Sequence, residues 1–426
     1  MDKKHLWLKL DNAAKIYPAA KRRTWVNLFR LSATMSETVD PEILKSALKI
    51  TAKRFPYISV AVKRGLFWYY LEETDLLPEP KKDGPYPLMK VKFREIRKCA
   101  FRVLYYDNRI AVEFFHSLTD GNGGLVFLKT LIAEYILQKY GKNIECTNGV
   151  LSRTESPDIS EIEDSFLKYS GEISKSRSEP TAFKLSGTKE ENGFINLITG
   201  IIPAEEILTQ AKKYGVSLTV FLVSIMIECI IEMQNKKIQK RKKQRPVKIL
   251  VPVNLRKFFP SKSLRNFVMF VTPGVDPRLG DWSFEEILNT VHHQMGTGIT
   301  AKEMAGRIAA NVNAEKMLLL KIMPLFIKNL AMKAVYNMVG EKKSCLAFSN
   351  LGVVEVPKEM IGFIKRFDFI LGVQATTPCN CGVLSYNGNL YINFIRDIKE
   401  SELERKFFTR LRKLGIHIKI ESNQKE

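Results

Sequence analysis

From Ser152 to about Lys189 the residues Ser, Glu, Lys and Pro dominate and apolar side chains thin out. On either side of that stretch, segments with helical and strand periods alternate. A chain of 426 residues divided in this way suits two ordinary domains rather than one small module. Residues 1–151 read as an N-terminal subdomain, 152–189 as a linker or crossover with a loosely attached helix, and 190–426 as a C-terminal subdomain. Both halves mix α and β. In the first, Pro41–Phe55 places Ile43, Leu44, Ala47, Leu48 and Ile50 on one helical face, with proline in the first turn. Strand pairs are expected around the turns Lys63-Arg64-Gly65 and Asp107-Asn108-Arg109. A helix is expected from about Gly123 to Tyr140. In the second half, helices are expected at Pro203–Tyr214 and Thr219–Asn235, and strands at Val247–Val253 and Phe267–Thr272. Helices then follow up to about Met338. Strands at Cys345–Ser349, Phe363–Val373, Val383–Tyr386 and Leu390–Phe394 come next, the last two joined by Asn387-Gly388. A helix over Glu400–Leu414 closes the pattern.

The apolar fraction of 45% and the 25 Phe rule out a disordered or low-complexity chain. The 67 Lys+Arg exceed the 45 Asp+Glu by 22, a field that favours polyanions: nucleic acid, an anionic membrane surface or a phosphate-bearing cofactor. No Cys-x-x-Cys pair occurs among the six cysteines, which argues against a zinc cluster or a disulfide framework. Cys379 and Cys381 would face opposite ways on a strand. The N-terminal residues lack the apolar run of a signal peptide. Leu218–Ile231, which carries Ser224 and Glu228, reads as a buried core helix rather than a membrane span. The chain therefore reads as soluble, reduced and cytoplasmic.

The most informative segment is Phe114-Phe115-His116-Ser117-Leu118-Thr119-Asp120-Gly121-Asn122-Gly123-Gly124. A strand ending at His116 would place an imidazole beside a helix start whose N–H groups point outward. A neutral imidazole is the side chain best suited to take a proton near pH 7. Asp120 would cap the turn, and the glycines would let the backbone approach another element. The plainer alternative is a satisfied core histidine ahead of an ordinary Asp-Gly turn.

This HxxxDG motif at the end of an aromatic strand resembles the signature of the superfamily containing chloramphenicol acetyltransferase, condensation domains and alcohol acetyltransferases. Other segments resemble it in the same order: Pro41–Phe55 running into Pro56-Tyr57-Ile58; Pro252-Val253-Asn254-Leu255-Arg256 followed by Asn266-Phe267; the Ser349-Asn350-Leu351-Gly352 turn; and Ser385-Tyr386-Asn387-Gly388. The resemblance spans about residues 5–415 and is greatest to the alcohol acetyltransferase-like branch. Phe115 stands where many members carry a first histidine. The Asp-Phe-Gly-Trp-Gly motif of the plant branch is absent.

The resemblance implies an α/β fold of two chloramphenicol-acetyltransferase-like subdomains, each a mixed sheet with flanking helices, and an active-site tunnel between them. It also implies an O-acyltransferase. His116 would deprotonate a small alcohol or amine for attack on an acyl-CoA thioester, and the acyl group would be acetyl. Asp120 would be structural, ion-paired with Arg256. Gly121 would line the substrate site, and Ser349 or Asn350 would donate to the oxyanion. Acyl-CoA is a co-substrate here, with no bound cofactor and no metal. A condensation-like protein that binds an acyl carrier, with or without turnover, is the second reading.

Other residues carry less. His292-His293 lacks a following Asp-Gly, and His5 and His417 lie near the termini without partners. The basic run Lys236–Arg245 reads as a solvated helix end that also attracts phosphate, as in coenzyme A. It has no interleaved aromatic residues, so nucleic acid is not an expected partner. Leu318–Val339, with Lys321, Lys328 and Lys333, reads as a core helix, with weak contact to an anionic membrane as its alternative. A monomer is expected because both halves of the tunnel lie in one chain.

Overall fold

The computed structural model describes residues 6–19, 27–170, 180–316, 323–335, 341–374 and 377–424. In chain order the strands are β1 (Trp7–Lys9), β2 (Leu28–Met35), β3 (Val60–Arg64), β4 (Tyr69–Glu73), β5 (Lys81–Lys82), β6 (Phe101–Tyr106), β7 (Arg109–Phe115) and β8 (Asn196–Pro203). They continue with β9 (Val247–Asn254), β10 (Val268–Val271), β11 (Gly274–Val275), β12 (Leu346–Val353), β13 (Ile364–Ile370), β14 (Cys379–Tyr386), β15 (Asn389–Arg396) and β16 (Lys419–Ser422). The helices used below are α1 (Ile16–Ala19), α2 (Pro41–Arg54), α3 (Phe93–Ile96), α4 (Gly121–Tyr140), α5 (Ser165–Lys168), α6 (Ala204–Lys213), α7 (Leu218–Lys237), α8 (Phe284–Gly298) and α9 (Ala301–Lys316).

Five strands form one sheet in the order β13-β2-β7-β6-β5, with α2 and α4 packed together on it. A larger sheet runs β10-β9-β12-β14-β15-β8-β16, with β11 paired to β9. A third, small sheet has the order β1-β4-β3. Both large sheets are mixed: β12 runs parallel to β9 and β14, and β5 parallel to β6, while the other pairs are antiparallel. Along β14 and β15, alternate residues serve two cores. Leu384, Tyr386, Tyr391 and Ile395 join one, whereas Cys381, Val383, Ile392 and Phe394 join the other. The large sheet therefore has both faces covered, which is why these strands read as nearly continuous apolar runs.

Several sequence-based boundaries change. The first hairpin turns at Gly65–Trp68 rather than Lys63–Gly65, because Lys63 and Arg64 continue the ladder opposite Tyr70 and Tyr69. Ser349-Asn350-Leu351-Gly352 is not a turn after a strand. It lies within β12, where the register shifts between Asn350 and Val353. The division at residue 190 does not follow the sheets, since β13 pairs antiparallel with β2 and so completes the N-terminal sheet. Within 152–189, Arg54 clamps Glu161 with two hydrogen bonds of 2.8 and 2.6 Å, and Phe183 and Leu185 enter the second core. The described residues of that segment are thus fastened to both halves, not loosely attached. The helix α7 is long and apolar enough to cross a membrane, yet 67% of that stretch is buried inside the protein, as a core helix would be. Of the expected helix at Leu318–Val339, residues 325–335 are described as helical and 323–324 are not; residues 318–322 and 336–339, like His5, lie outside the described residues.

Candidate active site

β7 ends at Phe115, one residue before His116, and antiparallel pairing with β2 and β6 fixes its direction. The backbone N–H of His116 still donates to Asn27 O at 2.8 Å, so the histidine continues the strand's line as the chain turns away. Its half-buried ring lies stacked on Tyr17 of α1, with centroids 4.5 Å apart, and meets Phe29 edge-on at 5.2 Å.

The imidazole is oriented from one side. Nδ1 lies 3.1 Å from Asn266 Oδ1. The Asn266 amide nitrogen donates to His116 O at 3.0 Å and to Asp11 Oδ2 at 3.3 Å, which leaves its oxygen facing the ring. An amide oxygen only accepts, so Nδ1 carries the hydrogen and Nε2 keeps its lone pair. No described residue hydrogen-bonds Nε2. Burial lowers the pKa of His116 below its ordinary value, against the opposing pull of Asp120 and Asn266. Asp11, fully buried, has its carboxyl pKa raised by burial, partly offset by Arg265.

Asp120 does not touch the ring nitrogens. Its Oδ1 caps α4 by accepting from Asn122 N and Gly123 N, both at 3.1 Å. Its Oδ2 accepts from Arg256 Nη1 at 2.8 Å and from Phe267 N at 3.0 Å. Arg256 then donates to Ser263 O, Asn254 Oδ1 and Arg265 O. One carboxylate thus ties the helix that follows the histidine to the loop between β9 and β10. Thr119 reinforces the joint with a 2.6 Å bond from Oγ1 to Leu264 O.

Of the motif glycines Gly121, Gly123 and Gly124, it is Gly123 that backbone proximity requires. A Cβ there would lie 2.1 Å from Leu264 O. At Gly121 the nearest obstacle would be the end of a side chain, Leu351 Cδ2 at 2.7 Å, so β12 abuts the start of α4. Ser349 on β12 is 9% exposed, and its hydroxyl bonds no described residue. Asn350 is committed locally: Nδ2 donates to Thr219 Oγ1 at 3.2 Å and Oδ1 accepts from Gly352 N at 2.8 Å. Ser349 is therefore the freer donor of the two.

His292 and His293 are exposed on α8, and His417 pairs with Glu206 at the surface. Among the described residues no cluster of three His, Cys, Asp or Glu could hold a metal ion. Sequence reasoning missed Asn266, Asp11 and Tyr17 as parts of the site. Asn266 stood in a matching motif, but its partner is 150 residues away.

No family model and no curated protein sequence matches the chain. Solved structures do. TRI101 of Fusarium sporotrichioides, solved with coenzyme A and T-2, superposes with a TM-score of 0.61 at 9% identity, over 98% of this chain and 100% of that one. TRI3, the trichothecene 15-O-acetyltransferase of the same fungus, gives 0.59 at 10% identity over 96% and 95%. The first condensation domain of the CDA synthetase gives 0.58 at 13% identity over 96% of each chain. The chain therefore shares the fold of these acetyltransferases and of the condensation domain over nearly its whole length.

Proposed function

We propose that the protein is an acyltransferase that moves an acyl group, in the first instance acetyl, from an acyl-CoA thioester to a small alcohol or amine, with His116 as general base. The observation that carries this reading is the fixed tautomer at His116: Nδ1–H faces Asn266 Oδ1 and the unpaired Nε2 is free to accept a proton. Burial keeps the ring neutral at pH 7, the state a base requires.

In this mechanism Nε2 takes the proton of the acceptor hydroxyl as its oxygen bonds to the thioester carbon. Ser349 Oγ–H donates to the tetrahedral oxyanion. The oxyanion collapses, the C–S bond breaks, and the departing thiolate recovers the proton from the imidazolium. Asp120 takes no proton; with Arg256 it holds α4 and the β9–β10 loop in register around the ring. The net charge of +22 suits a donor that carries phosphates. The acetyltransferase and the CoA complex among the structural neighbours support a free CoA donor over a carrier-bound one, and resemblance to the alcohol acetyltransferase-like branch points to a hydroxyl acceptor.

Thiol release from acetyl-CoA and longer acyl-CoAs, assayed with a panel of alcohols and amines for wild type and His116→Ala, tests this reading. Turnover by wild type alone is expected. Activity that survives in the variant overturns the base assignment. Silence from both, followed by turnover with a carrier-bound thioester, establishes the condensation-like alternative that the likeness to condensation domains supports.

A further inference from the structure

The helix Leu325–Val335 faces the wrong way for one that borders water. Its lysine Lys328 is fully buried, while Phe326, Ile327 and Leu330 are 61%, 42% and 70% exposed. A free surface helix does the reverse, with lysine in solvent and the apolar stripe inward. Lys328 is held in place: Nζ donates to Phe67 O at 2.9 Å and sits 3.6 Å from the centre of the Trp68 ring.

The same contact brings in a second apolar element. Leu325 N donates to Leu66 O at 3.0 Å, fixing the tip of the β3–β4 hairpin beside the helix. At that tip Leu66 and Phe67 are 74% and 41% exposed. Five large apolar side chains from two segments some 260 residues apart are thus held side by side at the surface, where isolated exposures would need no explanation.

Charge decides what covers them. The exposed Arg64 precedes the hairpin tip, and the sequence from 317 to 340 holds no Asp or Glu. A second copy of the chain would carry the same net charge of +22 toward the first. An anionic bilayer instead attracts Arg64 and the net positive charge of the chain, and accepts the apolar groups at the boundary between headgroups and acyl chains. We propose that the hairpin tip Leu66-Phe67 and the exposed face Phe326-Ile327-Leu330 together dock the protein on an anionic membrane surface. The helix also packs against α1, whose Tyr17 covers the His116 ring, so the docked face adjoins the candidate site. The proposal stands on the surface alone and does not depend on the chemistry at His116.

Cosedimentation with vesicles tests it, using phosphatidylcholine alone and phosphatidylcholine mixed with phosphatidylserine. Wild type is expected to sediment with the mixed vesicles only, and less as salt rises. The triple variant Phe67→Ser/Phe326→Ser/Leu330→Ser should lose partition by about tenfold or more while its melting temperature is unchanged. If that variant fails to fold, Leu66→Ser/Ile327→Ser, whose side chains also lie at the surface, serves in its place. Arg64→Glu should weaken binding several-fold. Absence of binding to mixed vesicles at low salt, or equal binding by a folded variant, overturns the proposal. So does a wild-type dimer in light scattering that the variant converts to monomer, which would assign the face to a second copy.

Discussion

Asn266 sets the protonation of His116 from a position 150 residues further along the chain, with its amide oxygen 3.1 Å from Nδ1 and its amide nitrogen held by His116 O and Asp11. Asn266→Leu frees the ring to take the other tautomer, with the proton on Nε2, where it cannot accept. An expected fall in kcat of about 10²-fold, with little change in KM, is read by steady-state kinetics.

The pH–rate profile tests the same relationship from the other side. Because burial lowers the pKa of His116, the wild-type rate should fall only once pH drops below the ordinary imidazole value near 6.5. Asn266→Asp places a carboxylate beside the ring, favours the imidazolium, and should move the acid limb of kcat/KM to higher pH. A limb that stays in place would show that another group sets the profile.

Asp120→Asn should cost stability as well as rate. The cap on Asn122 and Gly123 can survive on the remaining oxygen. The new amide would then present donors to Arg256 Nη1 and Phe267 N, which are donors themselves. Breaking a buried ion pair from one side costs about 3–5 kcal/mol. Thermal denaturation should register that loss, whereas His116→Ala should melt like wild type. Equal melting temperatures for the two variants would contradict the structural role of Asp120.

Two neighbouring glycines should respond differently to the same change. Gly123→Ala sets a methyl against a carbonyl oxygen of the β9–β10 loop, which the Asp120–Arg256 pair prevents from retreating. A loss of several kcal/mol, or failure to fold, is expected, since overpacking alone typically costs about 1–3 kcal/mol. Gly121→Ala meets only the flexible end of Leu351 and should fold normally. Denaturant titration of both proteins checks the contrast.

Lys129 supplies a stability signature at alkaline pH. It is 7% exposed on α4, donates to Asn148 O and to Glu355 O, and burial pushes its pKa down to about 8. Unfolded lysine titrates near 10.4, so between these values the unfolded chain binds more protons and stability rises with pH. The rise amounts to about 3 kcal/mol and is lost again as pH falls toward 8. In Lys129→Met the difference in slope between pH 8 and 10 should vanish in chemical denaturation.

What could be read without the structure follows from how local each signal is. The helices α2 and α4, the hairpin at Asn387-Gly388 and the histidine at a strand end are local patterns of period, cap and turn, and they stand where the sequence places them. Strand β2 escaped notice because Arg30, Ser32 and Thr34 interrupt its apolar residues. Arg30 is nonetheless buried, neutralised by Glu113 of β7 and by Asp83 just past β5. β8 was missed as well, and its partners β15 and β16 lie far along the chain. In the site, Asp120–Arg256 could be inferred from matching motifs. The Asn266 contact could not, because an asparagine reveals its role only when a distant backbone fixes which way its amide points.

The pairing of β13 with β2 governs the order in which the protein can be assembled. The outer edge of the N-terminal sheet stays open during synthesis until residue 370 has been made. Until then β2 presents unpaired N–H and C=O groups to whatever strand arrives first. Cutting the gene after residue 151 would therefore yield a fragment with a bare sheet edge rather than a free-standing domain.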